Sequence, residues 1–202
     1  MKLKLLIVAL FCSVASWGQV SITGLGAGNT YSQNFNTATA TVPTGWAFSE
    51  SGTGANGAFT TGTGTATGGD TYFFGVTNEW AFGGLQSGSV IPTIGASFTN
   101  NTGATITEIV VVYTGETWRV GTASRPDGLD FQYSTNATSL TTGTWTDFNA
   151  LDYGNPGLAT GSGSLQHSSS ISSTITGLSI ANGATFWIRW VDFNATSSDD
   201  GM

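Results

Sequence analysis

Past residue 18, no stretch of this chain repeats its apolar residues with the 3.6-residue period of a helix. The absence constrains the fold more than anything present. Runs of Thr, Val, Ile and aromatic residues alternate instead with Gly, Asn and Ser, the pattern of many strands joined by turns. Strands are predicted over Val20–Thr23, Tyr31–Phe35, Gly45–Ser49, Thr71–Val76, Trp80–Gly83, Thr93–Thr99, Thr105–Thr114, Leu129–Ser134, Trp145–Phe148, Ser170–Ile175 and Thr185–Phe193. Two of these, "ITEIVVVY" and "TFWIRWVDF", are apolar on both parities, which predicts central strands covered on both faces. The fold class that follows is all-β, a two-sheet antiparallel β-sandwich of jelly-roll or lectin-like type. "TTGTGTATGG", residues 60 to 69, reads as a low-complexity loop, and no fixed-period repeat supports a propeller or solenoid.

The first 18 residues read as a secretory signal. Lys2 and Lys4 form a basic start, and Leu5 to Ala15 an apolar run too short to span a bilayer. Small residues at Ser16 and Gly18 predict cleavage before Gln19. Phe11 before Cys12 speaks against a lipoprotein. The domain reading is therefore 1–18 signal peptide and 19–202 one sandwich domain, secreted or at the cell surface. No segment of the mature chain is long and apolar enough to cross a membrane as a helix. Its three arginines against twelve acids leave a net charge of −9. A surface so acidic repels phosphate backbones, so nucleic acid is not an expected partner. Cys12 is the only cysteine and leaves with the signal, so no internal disulfide forms.

Catalytic signatures are sparse. "GTGANG", Gly52 to Gly57, matches a dinucleotide fingerprint, but no helix follows it to meet a phosphate. His167 is the only histidine, and it sits in a serine-rich stretch without a surrounding motif. Glu108 and Glu116 share parity on one strand, but eight residues separate them by roughly 26 Å. That is far beyond the spacing of about 5–9.5 Å that glycoside hydrolysis needs. No catalytic residue is assigned. Exposed Trp46, Trp80, Trp118 or Trp145 could serve as sugar-stacking platforms, against the commoner use of such residues in the core.

"YTGETWR", Tyr113 to Arg119, places Glu116, Trp118 and Arg119 together as ligand candidates. Arg189 lies inside an apolar strand and needs a partner, and Glu116 is the first choice. The final stretch, "WIRWVDFNATSSDDGM", puts Asp192, Asn194, Asp199 and Asp200 within nine residues. Hard oxygen donors so grouped suit calcium, although their spacing is not that of an EF-hand. The competing reading has these acids solvating a turn and guarding a sheet edge.

Four stretches carry a family resemblance: "YSQNFNTATATVPTGWAF", "SGSVIPTIGASFTNNTGATITEIVVVYTGETWR", "LDFQYSTNATSLTTGTWTDFNALDY" and "SSTITGLSIANGATFWIRWVDFNATSSDDG". Together they resemble secreted β-sandwich modules of bacterial surface and exported proteins, of the Bacteroidetes type. Such modules sit beside sorting-signal, lamin-tail or endonuclease/exonuclease/phosphatase domains. In "NEWAFGGL", Trp80 stands where the family pattern has Arg. The pattern also continues past "DDG", which implies that a last strand is missing here. The resemblance implies an exported, non-catalytic binding or adhesion module of a larger protein, with an extracellular glycan as the expected ligand. The alternatives are an accessory domain of an exported nuclease or phosphatase, and a structural spacer.

Overall fold

The structure, a computed structural model, describes residues 18–26, 28–36 and 41–202. Of the stretch read as a secretory signal, only Gly18 is among the described residues. The first five strands are β1 (Val20–Ile22), β2 (Trp46–Ser51), β3 (Phe59–Gly62), β4 (Asp70–Val76) and β5 (Glu79–Leu85). The rest are β6 (Ile91–Asn100), β7 (Ile106–Thr117), β8 (Gly128–Ser134), β9 (Thr146–Asp147), β10 (Tyr153–Gly154), β11 (His167–Ile180) and β12 (Thr185–Asp192). Among the described residues the only helical element is one short 3-10 turn, Asn149–Leu151, so the fold is all-β.

One layer of the sandwich is a seven-stranded sheet in the order β1-β6-β12-β8-β10, with β2 also on β6 and β9 also on β8. β2 follows the first part of β6 (Trp46 opposite Ala96) and β1 the last part (Val20 opposite Phe98), so two short strands share one edge. The other layer is split into β3-β4-β5 and the long two-stranded ladder β7-β11, whose strands are distant in sequence. All pairings are antiparallel except β1 with β6 and β3 with β4.

The main core fills the space between the layers. Phe98, Phe131, Phe186, Ile188 and Trp190 come from the large sheet, Phe73 and Phe82 from β4 and β5, and Val111 and Ile175 from β7 and β11. Trp46 and Trp190 stack with centroids 6.0 Å apart and planes 8° from parallel. Trp190 also meets Tyr113 and Phe131 edge-on. A second cluster, Tyr72, Phe74, Leu85 and Trp118, covers the other face of the three-stranded sheet.

The expectation that both apolar strands are central holds for β12 alone. It pairs with β6 on one edge and β8 on the other, and Ala137, Leu140 and Trp145 roof its outward Trp187. β7 pairs only with β11, and its Val110 and Val112 are 63% and 64% exposed. Its outward face therefore meets solvent despite its composition.

Residues 195 to 202 close the gap between the two parts of the split layer. Gly201 bridges Leu85 on one side and Arg119 on the other. Met202 exchanges both backbone hydrogen bonds with Gly84 (2.7 and 3.0 Å). The approach is close enough to require glycine at position 83, where a Cβ would lie 1.9 Å from the Met202 carbonyl oxygen.

Candidate functional site

Three polar arrangements stand out, and each is built by a different part of the fold. The first is a buried charge cluster below the 195–202 segment. Arg125 leaves the loop after β7 and places Nη2 3.0 Å from Asp127 Oδ2 and 3.5 Å from Asp200 Oδ1, with Nη1 3.7 Å from Asp199 Oδ1. The Ser198 carbonyl accepts from the same guanidinium. Asp127 also accepts the Asp200 N–H (2.8 Å), and Asp200 accepts the Gly121 N–H (2.7 Å) and the Asn155 amide. Every carboxylate here is buried, so the single cation is outnumbered in a medium that screens poorly.

The pKa values record that imbalance. Burial raises Asp127 to about 6, and the adjacent Asp200 charge adds to the rise. Asp199 is raised for the same first reason. Asp192, at the end of β12, is driven well above the carboxylate range by burial and by the charges of Asp127 and Asp199. Its Oδ2 accepts the Gln86 N–H at 3.0 Å, while Oδ1 has no hydrogen-bond partner.

The four residues read as a calcium loop are thus not gathered as one ligand set. Asn194 is exposed, Asp199 and Asp200 turn to Arg125, and Asp192 lies on β12 beside Gln86. Among the described residues no group of three or more acidic, His or Cys side chains is arranged to hold a metal ion. Of the four, only Asp199 and Asp200 face a positive charge, the Arg125 guanidinium.

The second arrangement is the stretch of ligand candidates, and here the structure corrects the reading of Trp118. That residue is fully buried, so it offers no stacking face. Its indole N–H donates to Glu116 Oε2 at 2.8 Å. Burial raises the Glu116 carboxyl, and the charge of nearby Glu79 pushes it the same way. Arg119 is half-buried where its backbone meets Gly201. The pairing of Glu116 with Arg189 does not form, because the two residues lie in opposite layers.

Arg189 belongs instead to the third arrangement, on the outer face of the large sheet. β12 and β8 set Arg189 opposite Gln132, whose Oε1 accepts the guanidinium Nε–H at 2.7 Å. The Leu140 carbonyl accepts from Nη1. Gln132 in turn donates to Asp147 Oδ1 at 2.5 Å. The guanidinium lies 3.9 Å from the centre of the Trp145 ring, and the indole N–H is pinned to the Thr142 carbonyl at 2.9 Å. Arg189 is held by a stacked ring and neutral acceptors, which is how a half-buried cation avoids an isolated charge. Trp145 is half-buried and Asp147 exposed, so the array opens to solvent at one end.

No protein-family model, curated protein or solved structure matches the chain. Sequence reasoning missed Arg125 and Asp127 as the centre of the buried cluster. One signal was available: in "SRPDG" one of the chain's only three arginines stands two residues from an acid.

Proposed function

We propose that the chain is a non-catalytic binding module of an exported protein, with carbohydrate as its ligand class. The observation carrying this reading is the array of Trp145, Arg189, Gln132 and Asp147. Sugars present apolar C–H faces flanked by hydroxyls, and they are held by an aromatic surface beside fixed donors and acceptors. Trp145 supplies the surface. Arg189 and Gln132 supply polar groups that their own hydrogen bonds have already oriented, so little side-chain freedom is lost when a ligand arrives.

The test is binding of the purified chain to an array of extracellular polysaccharides and their oligosaccharides, followed by titration of intrinsic fluorescence. Binding is expected to fall by at least tenfold in Trp145→Ala, with the far-ultraviolet circular dichroism spectrum unchanged. A Trp145→Ala variant that binds every recognised glycan as tightly as the parent removes this surface as the site. An array without any hit removes the ligand class.

A further inference from the structure

The tetrapeptide Ala-Asn-Gly-Ala occurs twice, at residues 55–58 and 181–184. An asparagine followed by glycine is prone to lose ammonia, because glycine carries no side chain to hinder its amide nitrogen from closing on the asparagine carboxamide carbon. Identical local sequence gives the two asparagines the same intrinsic chemistry, and both are exposed. Their surroundings differ. Asn182 lies in the turn between β11 and β12, where the Gly183 N–H donates to the Asn100 carbonyl at 2.5 Å and Asn182 Oδ1 accepts the Gly103 N–H at 2.7 Å. A carbonyl oxygen does not take up an amide proton at neutral pH, so the Gly183 nitrogen stays a donor.

We propose that Asn56 is a self-modifying site, which the fold converts to aspartate and isoaspartate with Glu50 as the base. Glu50, on β2, places Oε2 3.0 Å from the Asn56 nitrogen and 3.2 Å from the Gly57 nitrogen, and accepts both N–H groups. The Ala58 N–H donates to Asn56 Oδ1 at 2.6 Å. Three parts of the reaction are thus in place: the Gly57 nitrogen as nucleophile, a carboxylate on its proton, and a donor on the oxygen where negative charge develops. Burial alone would raise the Glu50 carboxyl, but hydrogen bonds from Asn56 and Thr71 outweigh it and hold it below its ordinary value, so it is ionised at neutral pH. Its other oxygen accepts the Thr71 N–H and hydroxyl, both at 2.9 Å, which anchors the base against β4.

The Gly57 nitrogen bonds to Asn56 Cγ as its proton passes to Glu50, and the Ala58 N–H holds the resulting oxyanion. The tetrahedral carbon then expels Nδ2, which takes the proton back from Glu50 and leaves as ammonia. Water opens the cyclic imide at either carbonyl. One opening gives aspartate; the other gives isoaspartate, with one added atom in the main chain. Only water is consumed. Either product puts a new carboxylate beside Glu50 and Asp70, which already share the Thr71 N–H (2.9 and 3.0 Å). Isoaspartate also moves the Asn56 and Gly57 N–H groups off Oε2. The change is irreversible and so records the time each molecule has spent folded. It involves none of the residues around Trp145 and stands apart from the carbohydrate reading.

The experiment incubates the full chain at neutral pH and physiological temperature. Peptide mapping by mass spectrometry reads conversion as a gain of about 1 Da at each asparagine, with Asn182 as the internal control. In the folded protein Asn56 is expected to convert at least about tenfold faster than Asn182. In urea, where both tetrapeptides are unfolded, the two rates should converge and Asn56 should slow. Glu50→Gln keeps an acceptor for the N–H groups and removes the base. With its circular dichroism unchanged, it should bring the Asn56 rate down towards the urea value and leave Asn182 unaltered. Equal conversion of the two asparagines in the fold overturns the proposal, as does an Asn56 that converts faster in urea than in the fold. A folded Glu50→Gln variant that converts Asn56 at the parent rate overturns it as well. If that variant does not fold, the comparison of folded with urea-unfolded parent decides alone.

Discussion

β12 and β7 look alike as sequence and end differently. Each alternates poorly, and each is rich in β-branched or aromatic residues on both parities. β12 lies between β6 and β8, packs Trp190 against Trp46, and has a loop roofing its outward Trp187. β7 has one partner strand and leaves two valines more than 60% exposed. Composition reports what a strand could bury. Its neighbours decide what it does bury, and those come from distant parts of the chain. Their attachments differ in kind as well: apart from β11, β7 is joined through the Gly201 bridge at Arg119, while β12 is held by full ladders to β6 and β8.

The largest contrast should come from removing packing at the centre of β12. Trp190→Ala deletes a ring that meets Trp46, Tyr113 and Phe131. Large-to-small core substitutions of this kind cost about 3–5 kcal/mol, and the three-sided contact places this one at the upper end. Urea unfolding monitored by circular dichroism measures it. A loss below about 1 kcal/mol would mean that β12 is not the centre of the fold.

The next effect concerns the bridge. Arg125→Met leaves Asp127, Asp199 and Asp200 buried without their shared cation, at an expected cost of about 3 kcal/mol near neutral pH. Hydrogen exchange should quicken at Trp118, Arg119 and Gly84, whose amides meet residues 201 and 202, while β12 stays protected.

The sign of the pH dependence is fixed by the same cluster. Asp127 titrates at about 6 in the fold, against an ordinary carboxylate value in the unfolded chain. Between roughly pH 4 and 6 the folded state therefore holds the extra proton, and stability falls as pH rises through that window. The parent protein should melt at a higher temperature at pH 5 than at pH 7.5. Removing the cation raises the carboxyl further, so the gap between parent and Arg125→Met should be wider at pH 7.5 than at pH 5. A gap independent of pH would show that the cluster is not governed by charge.

The sequence made the fold class legible because the two-residue period and the turn residues are local signals. Strands such as Thr71–Val76 and Leu129–Ser134 match β4 and β8 to within a residue. Tyr31–Phe35 forms no strand. Phe35 takes a left-handed backbone conformation, φ 55°, and its ring packs edge-on against Trp46 at 4.7 Å, a tertiary demand that overrides strand propensity. β3 escaped notice because it begins at Phe59 and runs into a Thr- and Gly-rich stretch that reads as a loop. For the site, Glu116, Trp118 and Arg119 were found together, but the burial of Trp118 depends on Tyr72 and Phe74 from another sheet. Arg189 was seen to need a partner. That the partners are Gln132, Leu140 and Trp145 depends on register and on a loop crossing the sheet, which no local pattern encodes.

The smallest expected effect tests the exposed strand directly. Val112 stands opposite Ser172 on the outward face of the β7–β11 ladder, with Ser170 and Thr174 exposed beside it on β11. Val112→Thr keeps the β-branched shape and strand propensity, and it exchanges an exposed methyl for a hydroxyl. Because the parent side chain is 64% exposed, little transfer free energy is at stake, and stability should change by no more than about 0.5 kcal/mol. The same exchange at Ile188, which is buried on β12, should be far more costly, since it loses volume and buries a hydroxyl in the main core. Urea midpoints for the two variants read the contrast between the strands with nearly the same chemistry at each position. If Val112→Thr destabilises as much as Ile188→Thr, the outward face of β7 is covered in solution, and the difference drawn between the strands fails.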